Sequence, residues 1–174
     1  MPQGNAPVFA LLDKLASCLD METCCQWGDD HERWRVYKSA IESEKCRTDL
    51  MLAVAADPNP TLAGAVVIEV IRNGAREISA WLELLPVGSR ERVTAESIYA
   101  DLVVMREVVL PGVDVDPAEV AQWSAALQRE AARAADNVRT LAALSEHGKT
   151  ARIRALALDR ARQLKRGGRA EGGS

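Results

Sequence analysis

The stretch from Asp57 to Leu85 constrains the fold more than any other part of the chain. It opens on Asp57-Pro58-Asn59-Pro60 and continues through Leu62-Ala63-Gly64-Ala65-Val66-Val67-Ile68 to Ile71. It pauses at Asn73-Gly74, then resumes with Ile78, Trp81, Leu82, Leu84 and Leu85 before Pro86. Asp57 is suited to accept hydrogen bonds from the unpaired N–H groups of a helix start, with Thr61 as a competing cap. Pro60 suits the first turn, where its missing N–H costs nothing. The β-branched run Val66, Val67, Ile68, Val70 and Ile71 would also suit a buried strand, and periodicity alone does not separate the two. No second strand-like run with turn signals is present to pair with it. Gly74 stands where a helix end favours a left-handed residue. The Ala63-Gly64-Ala65 step lets another helix approach closely. The stretch therefore reads as two helices, the second over Ala75 to Leu85, at the centre of an all-α core.

Composition points the same way. The chain has 174 residues with only four Trp, two Tyr and one Phe, so its core must be built from Leu, Val, Ile and Ala, which suits helix packed on helix. That length is most simply one domain and is enough to bury a core without disulfide staples. Residues 1–6 read as a loose N-terminal arm, 7–166 as a single helical domain, and 167–174 as a disordered Gly-rich tail. The start carries no basic leader before its short apolar stretch Pro7 to Leu12, so no secretory signal is expected. The longest apolar run, Leu62 to Ile68, stops at Glu69, short of the roughly 20 residues a membrane helix needs. The expectation is a cytoplasmic protein with no membrane contact, its four cysteines held as thiols.

Before the central stretch, a first helix is expected from Pro7 to about Gln26, with Val8, Leu11, Leu12, Leu15, Cys18, Leu19 and Met21 inward. Asp29 or Asp30 caps a second, read as one long helix to Ala56, with a break near Ser43 as the alternative, because the apolar face fades through Glu42 to Asp49. After it, Ser89 caps a helix from Arg90 to Leu110 whose buried face is Val93, Ile98, Leu102, Met105 and Val109. Asp116-Pro117-Ala118-Glu119 is the strongest start signal in the chain, with a capping residue, Pro at the first position and Glu at the third. The helix it opens carries Val120, Trp123, Leu127, Ala131, Ala134, Val138, Leu141 and Leu144 at near-heptad spacing, which suggests self-association. A last helix runs from Lys149 to about Arg166. The packing residues expected are Leu62, Val66, Ile71, Trp81, Leu85, Leu102, Trp123 and Leu127.

Asp57-Pro58-Asn59-Pro60-Thr61-Leu62-Ala63-Gly64-Ala65-Val66 resembles the turn and second helix of a HEAT-type repeat. Asp116-Pro117-Ala118-Glu119-Val120-Ala121 echoes it 59 positions later, with Gly88-Ser89 roughly midway. The arginine often found early in that second helix is absent, since Ala63 follows Leu62. The resemblance implies stacked helix pairs that form a protein-binding surface. The fold class expected is all-α, either an irregular helical bundle or a short HEAT-like α-solenoid, of about six to seven helices.

Few residues suggest chemistry. Cys18, Cys24, Cys25, His31 and Cys46 fall within 29 residues, and thiolates with imidazole are zinc ligands. There is no Cys-x-x-Cys, however, and the adjacent Cys24 and Cys25 would point apart on a helix. His31 and His147 form no recognisable triad, and no phosphate loop, dinucleotide fingerprint or His-Glu-x-x-His is present. No catalytic residue, cofactor or metal is assigned, and no enzyme is expected. The sharpest charge feature is C-terminal. Lys149, Arg152, Arg154, Arg160, Arg162, Lys165, Arg166 and Arg169 meet one acid, Asp159, for a segment charge of +7 in a chain of −3, so the rest carries −10. Arg outnumbers Lys by 17 to 5 throughout, a bias that weakens the arginines as a phosphate signal.

The leading expectation is a non-enzymatic module that acts through an unidentified protein partner, as an adaptor or scaffold. The alternative is an accessory protein that binds nucleic-acid phosphates through residues 149–169, with Lys149, Arg152, Arg154, Arg160, Arg162, Lys165 and Arg166 as contacts.

Overall fold

The computed structural model describes residues 6–21, 27–75 and 77–171. All regular structure among them is helical, and no helix among them is long and apolar enough to cross a membrane. By contacts the chain divides into two compact units, Met1–Tyr99 and Ala100–Ser174, where the sequence reading takes residues 7–166 together.

The first unit holds α1 (Ala6–Cys18), α2 (Asp30–Ile41), a 3-10 turn (Glu44–Cys46), α3 (Arg47–Ala55), α4 (Pro60–Arg72), α5 (Ile78–Glu83) and the start of α6 (Arg90–Val104). Its core joins Val8, Leu12 and Leu15 of α1 to Val36 and Tyr37 of α2, Leu50 and Val54 of α3, Val66, Val67 and Ile71 of α4, and Trp81 of α5. The α4 start follows its sequence signals with one exchange. The cap is Asn59, whose side chain accepts the N–H groups of Thr61 and Leu62 at 3.0 and 3.2 Å. Asp57, expected in that role, is drawn into the interior. Pro60 takes the first position, and Gly74 follows the helix end at φ 75°. A Cβ on Gly64 would lie 2.7 Å from both Cβ and Cγ of Glu91. The close approach expected at the Ala-Gly-Ala step is therefore made by the first turn of α6.

Several expected helices are shorter. The first helix, expected to reach Gln26, ends at Cys18, and Asp20 turns the chain with φ 53°; residues 22–26 lie outside the described residues. The long second helix is broken at Ser43, which adopts an extended conformation at φ −109° and ψ 107°. An unbroken helix would carry Cys46 and Ala53 more than roughly 100° round from Ala40. The break returns them to the core that holds Ala40, and all three are buried. The helix expected over Ala75 to Leu85 is confined to Ile78–Glu83.

On α6 the buried face differs from the expected one. Ala95 is its one fully buried residue. Val93 is 57% exposed because it stands two positions, about 200°, from Ala95. Leu102 is 37% exposed, since the core of the second unit takes up this part of the chain only from Val104 onward.

The second unit continues through a π turn (Met105–Val109), α7 (Pro117–Gln122), α8 (Ala125–Ala134), α9 (Val138–His147) and α10 (Ala151–Glu171). Three helices thus replace the near-heptad helix expected from Val120 to Leu144. Trp123 leaves helical geometry with ψ 150°, and Ser124 caps α8 by accepting the Leu127 N–H at 3.0 Å. Ala135 is extended, and Asn137 caps α9 by accepting from Arg139 and Thr140. Val120, Trp123, Leu127, Ala131, Leu141 and Leu144 are all buried, but in one compact cluster with Ile153 and Ala157. Most of the seam expected to meet a second copy is therefore folded inward, while Val138 of the same spacing is 48% exposed. Gln128, with no exposed surface, clamps this unit. It donates to the Val120 carbonyl and accepts the Lys149 N–H, each at 2.8 Å.

These breaks account for ten α-helices among the described residues against the six or seven expected. The last helix, expected to stop near Arg166, continues to Glu171, through part of the segment read as a disordered tail. Residues 172–174, and the expected arm apart from Ala6, lie outside the described residues.

Candidate functional site

Helix α10 carries all the residues singled out for phosphate contact except Lys149, which lies just before it. Its start is fixed by Thr150, whose hydroxyl accepts the Ile153 N–H at 3.2 Å. Ile153 and Ala157 are fully buried, and Leu156, Ala161 and Leu164 pack beside them, which sets which basic residues turn outward. Arg154 is committed to the fold, donating to the Gly148 carbonyl at 2.7 Å. Arg160 donates to the Ala135 carbonyl at 3.3 Å and pairs with Asp136, closing the α8–α9 turn. Arg162 is exposed and lies 3.5 Å from Asp159, itself exposed. Lys149, Arg152, Lys165 and Arg166 are exposed and have no ion pair among the described residues.

At about 100° per residue, Arg162, Lys165 and Arg166 share the side of α10 opposite Ile153 and Leu164. The rise of about 1.5 Å per residue sets Arg162 and Arg166 about 6 Å apart along the axis. The seven candidates thus separate. Arg162, Lys165 and Arg166 form one outward cluster, Lys149 and Arg152 lie away from it near the helix start, and Arg154 and Arg160 are structural. Such a face can neutralise successive anionic groups on an extended partner.

A buried polar assembly that the sequence does not announce surrounds Asp57. Its side chain is fully buried and that of Arg33 is 3% exposed. Arg33 donates to Asp57 at 3.0 Å, to the Trp27 carbonyl at 2.7 Å and to Asp30. Tyr37 donates to the same carboxylate at 2.7 Å, and the Asn59 N–H does so at 2.8 Å. Asn59 also donates its side-chain amide to Asp30. Every charged atom is answered, as buried charges require, so the cluster locks α2 to the α3–α4 connection and offers no open position for a substrate. The cue in the sequence was Asp57 itself, read as a cap; nothing marked Arg33 as its partner.

Burial, with the hydrogen bond to Asp57 second, pushes the Tyr37 phenol well above its usual range. Below about pH 10 the phenol is neutral folded or unfolded, so its contribution to stability is whole. Above that, the unfolded phenol ionises and the folded one does not, so stability falls as pH rises. In a Tyr99→Phe background, phenolate absorbance is expected to appear only together with loss of helical circular dichroism. Ionisation of Tyr37 with the helices intact would contradict this.

The remaining candidates are dispersed. His31 is exposed in the first turn of α2, where its N–H caps onto Asp29 at 2.8 Å. His147 is exposed at the end of α9, 3.8 Å from Glu146. Among the described residues no three His, Cys, Asp or Glu side chains gather where a metal could be held; Cys24 and Cys25 lie outside them. Comparison of the chain with protein-family models, with curated proteins and with solved structures finds no match.

Proposed function

We propose that the chain is a helical protein-interaction module of adaptor or scaffold type, without catalytic activity, and that the outward face of α10 is its contact surface. The observation that carries this is the cluster of Arg162, Lys165 and Arg166, exposed together with only Asp159 to answer it among the described residues. An acidic protein surface complements such a face and gains association rate and register from it. Asp-Pro turns lead into both α4 and α7, which supports the HEAT-like reading of paired helices as the scaffold. A cytoplasmic setting belongs to the same proposal.

The same cluster favours a second reading, in which nucleic-acid phosphates are the partner. Removing α10 would not test either one, because Ile153 and Ala157 belong to the core. Charge reversal of Arg162, Lys165 and Arg166 to Glu leaves that core alone. The unaltered and reversed chains are to be titrated with labelled duplex DNA, single-stranded RNA and polyglutamate at low and moderate salt. Binding of polyglutamate alone, lost on reversal, is the expected result. Binding of DNA or RNA, with a salt slope that falls by about 3 on reversal, would favour the second reading. Unchanged binding in every case would remove α10 as the contact surface.

A further inference from the structure

Two free thiols from different elements meet in the first unit. Cys18 stands on the last turn of α1 and is half-buried, whereas Cys46 ends the 3-10 turn before α3 and is fully buried. Cys18 packs on the core cluster that contains Cys46, and α1 lies directly against both the 3-10 turn that ends in Cys46 and α3. The surroundings hold the two elements in register. Ser43 donates its hydroxyl to the Cys46 sulfur at 3.4 Å. Lys14 of α1 pairs with Asp49 of α3 at 2.7 Å.

We propose that Cys18 and Cys46 form a site of reversible thiol oxidation, closed into an intramolecular disulfide by a low-molecular-weight disulfide such as glutathione disulfide. Cys18, the more accessible, attacks first. Its thiolate forms a bond to one glutathione sulfur and expels the other glutathione as thiolate. Cys46 then attacks the Cys18 sulfur of that mixed disulfide and expels the second glutathione. The two protein thiols lose two electrons and two protons, and one glutathione disulfide becomes two glutathione molecules. The product ties the end of α1 to the turn between α2 and α3 and closes a loop that contains Cys24 and Cys25.

The neighbouring Cys46 thiol, with burial second, raises the Cys18 thiol above its ordinary range. Little thiolate is then present at neutral pH, so oxidation is slow there and quickens as pH rises. The site suits a lasting response to oxidising conditions more than rapid turnover.

The test uses the full chain and a Cys24→Ser/Cys25→Ser variant, each oxidised with glutathione disulfide, acid-quenched, alkylated and mapped by mass spectrometry. A Cys18–Cys46 linked peptide is expected in both, forming faster at higher pH. The melting temperature is expected to rise by roughly 5–15 °C and to return with dithiothreitol. In Cys46→Ser, Cys18 is expected to stop at the glutathione adduct. Linkage of Cys18 to Cys24 or Cys25 in the full chain, a stable Cys18 adduct while Cys46 is present, or two unreacted thiols would each overturn the proposal. If the double variant does not fold, the map of the full chain decides.

Discussion

Replacing Asp57 with alanine is expected to destabilise the fold by about 3–5 kcal/mol, the range found when one member of a buried ion pair is removed. Its carboxylate is the acceptor for Arg33, Tyr37 and the Asn59 N–H together. Truncation leaves a guanidinium that is 3% exposed with only Asp30 and the Trp27 carbonyl. It also leaves the Tyr37 hydroxyl with the Ala53 carbonyl alone, at 3.4 Å. Asp30 is the control. It pairs with the same arginine, but its side chain is 57% exposed, so Asp30→Ala should cost under about 1 kcal/mol. Urea denaturation followed by circular dichroism measures both. Equal effects for the two aspartates would mean that burial does not set the strength of this pair.

The second large effect is expected at Trp81, which is 1% exposed in the core of the first unit. Trp81→Ala should cost about 3–5 kcal/mol. The site borders an open pocket of about 140 Å³ whose lining mixes Leu50 and Val70 with Ser43, Glu44, Arg47 and Asn73. Trp81→Phe should cost far less, about 1–2 kcal/mol. Its indole N–H is buried with no acceptor among the described residues, and deleting an unpaired polar group removes a penalty along with the volume. Trp27 provides the contrast, because its N–H donates to Asp13 at 2.8 Å and Trp27→Phe gives up that bond. Comparable losses for Ala and Phe at position 81 would show that the N–H is paired after all.

What was legible in the sequence follows from the range of the interaction involved. The all-α class could be read from an aliphatic, aromatic-poor composition, and α4 from Pro60 and Gly74, because those signals act within a turn or two. Breaks were harder. Ser124 and Asn137 are good capping residues, yet the apolar spacing from Val120 to Leu144 overrode them, since the same spacing serves one long seam or three short helices around a shared core. Ser43, where the apolar face fades, is the break that a single long helix from Asp30 would have bridged. Asp57 shows the same limit from another side. A carboxylate before Pro-Asn-Pro reads as a cap from local chemistry, and only the arrival of Arg33 from α2 makes it an interior charge. On α10, charge counting found the segment, but which arginines stay exposed depended on carbonyls at Ala135 and Gly148 that no pattern of side chains reveals.

The arrangement of α10 has a consequence for synthesis of the chain. Helices α8 and α9 bury their apolar faces largely against α10, whose Ile153 and Ala157 complete that core. At about 5–20 residues per second, those faces stay uncovered on the ribosome until α10 has followed them out. During that interval Leu141, Leu144 and Leu127 form a sticky nascent surface. Codon choice across residues 149–166, or a chaperone that waits for them, would then govern the yield of native protein without altering any contact in the finished fold.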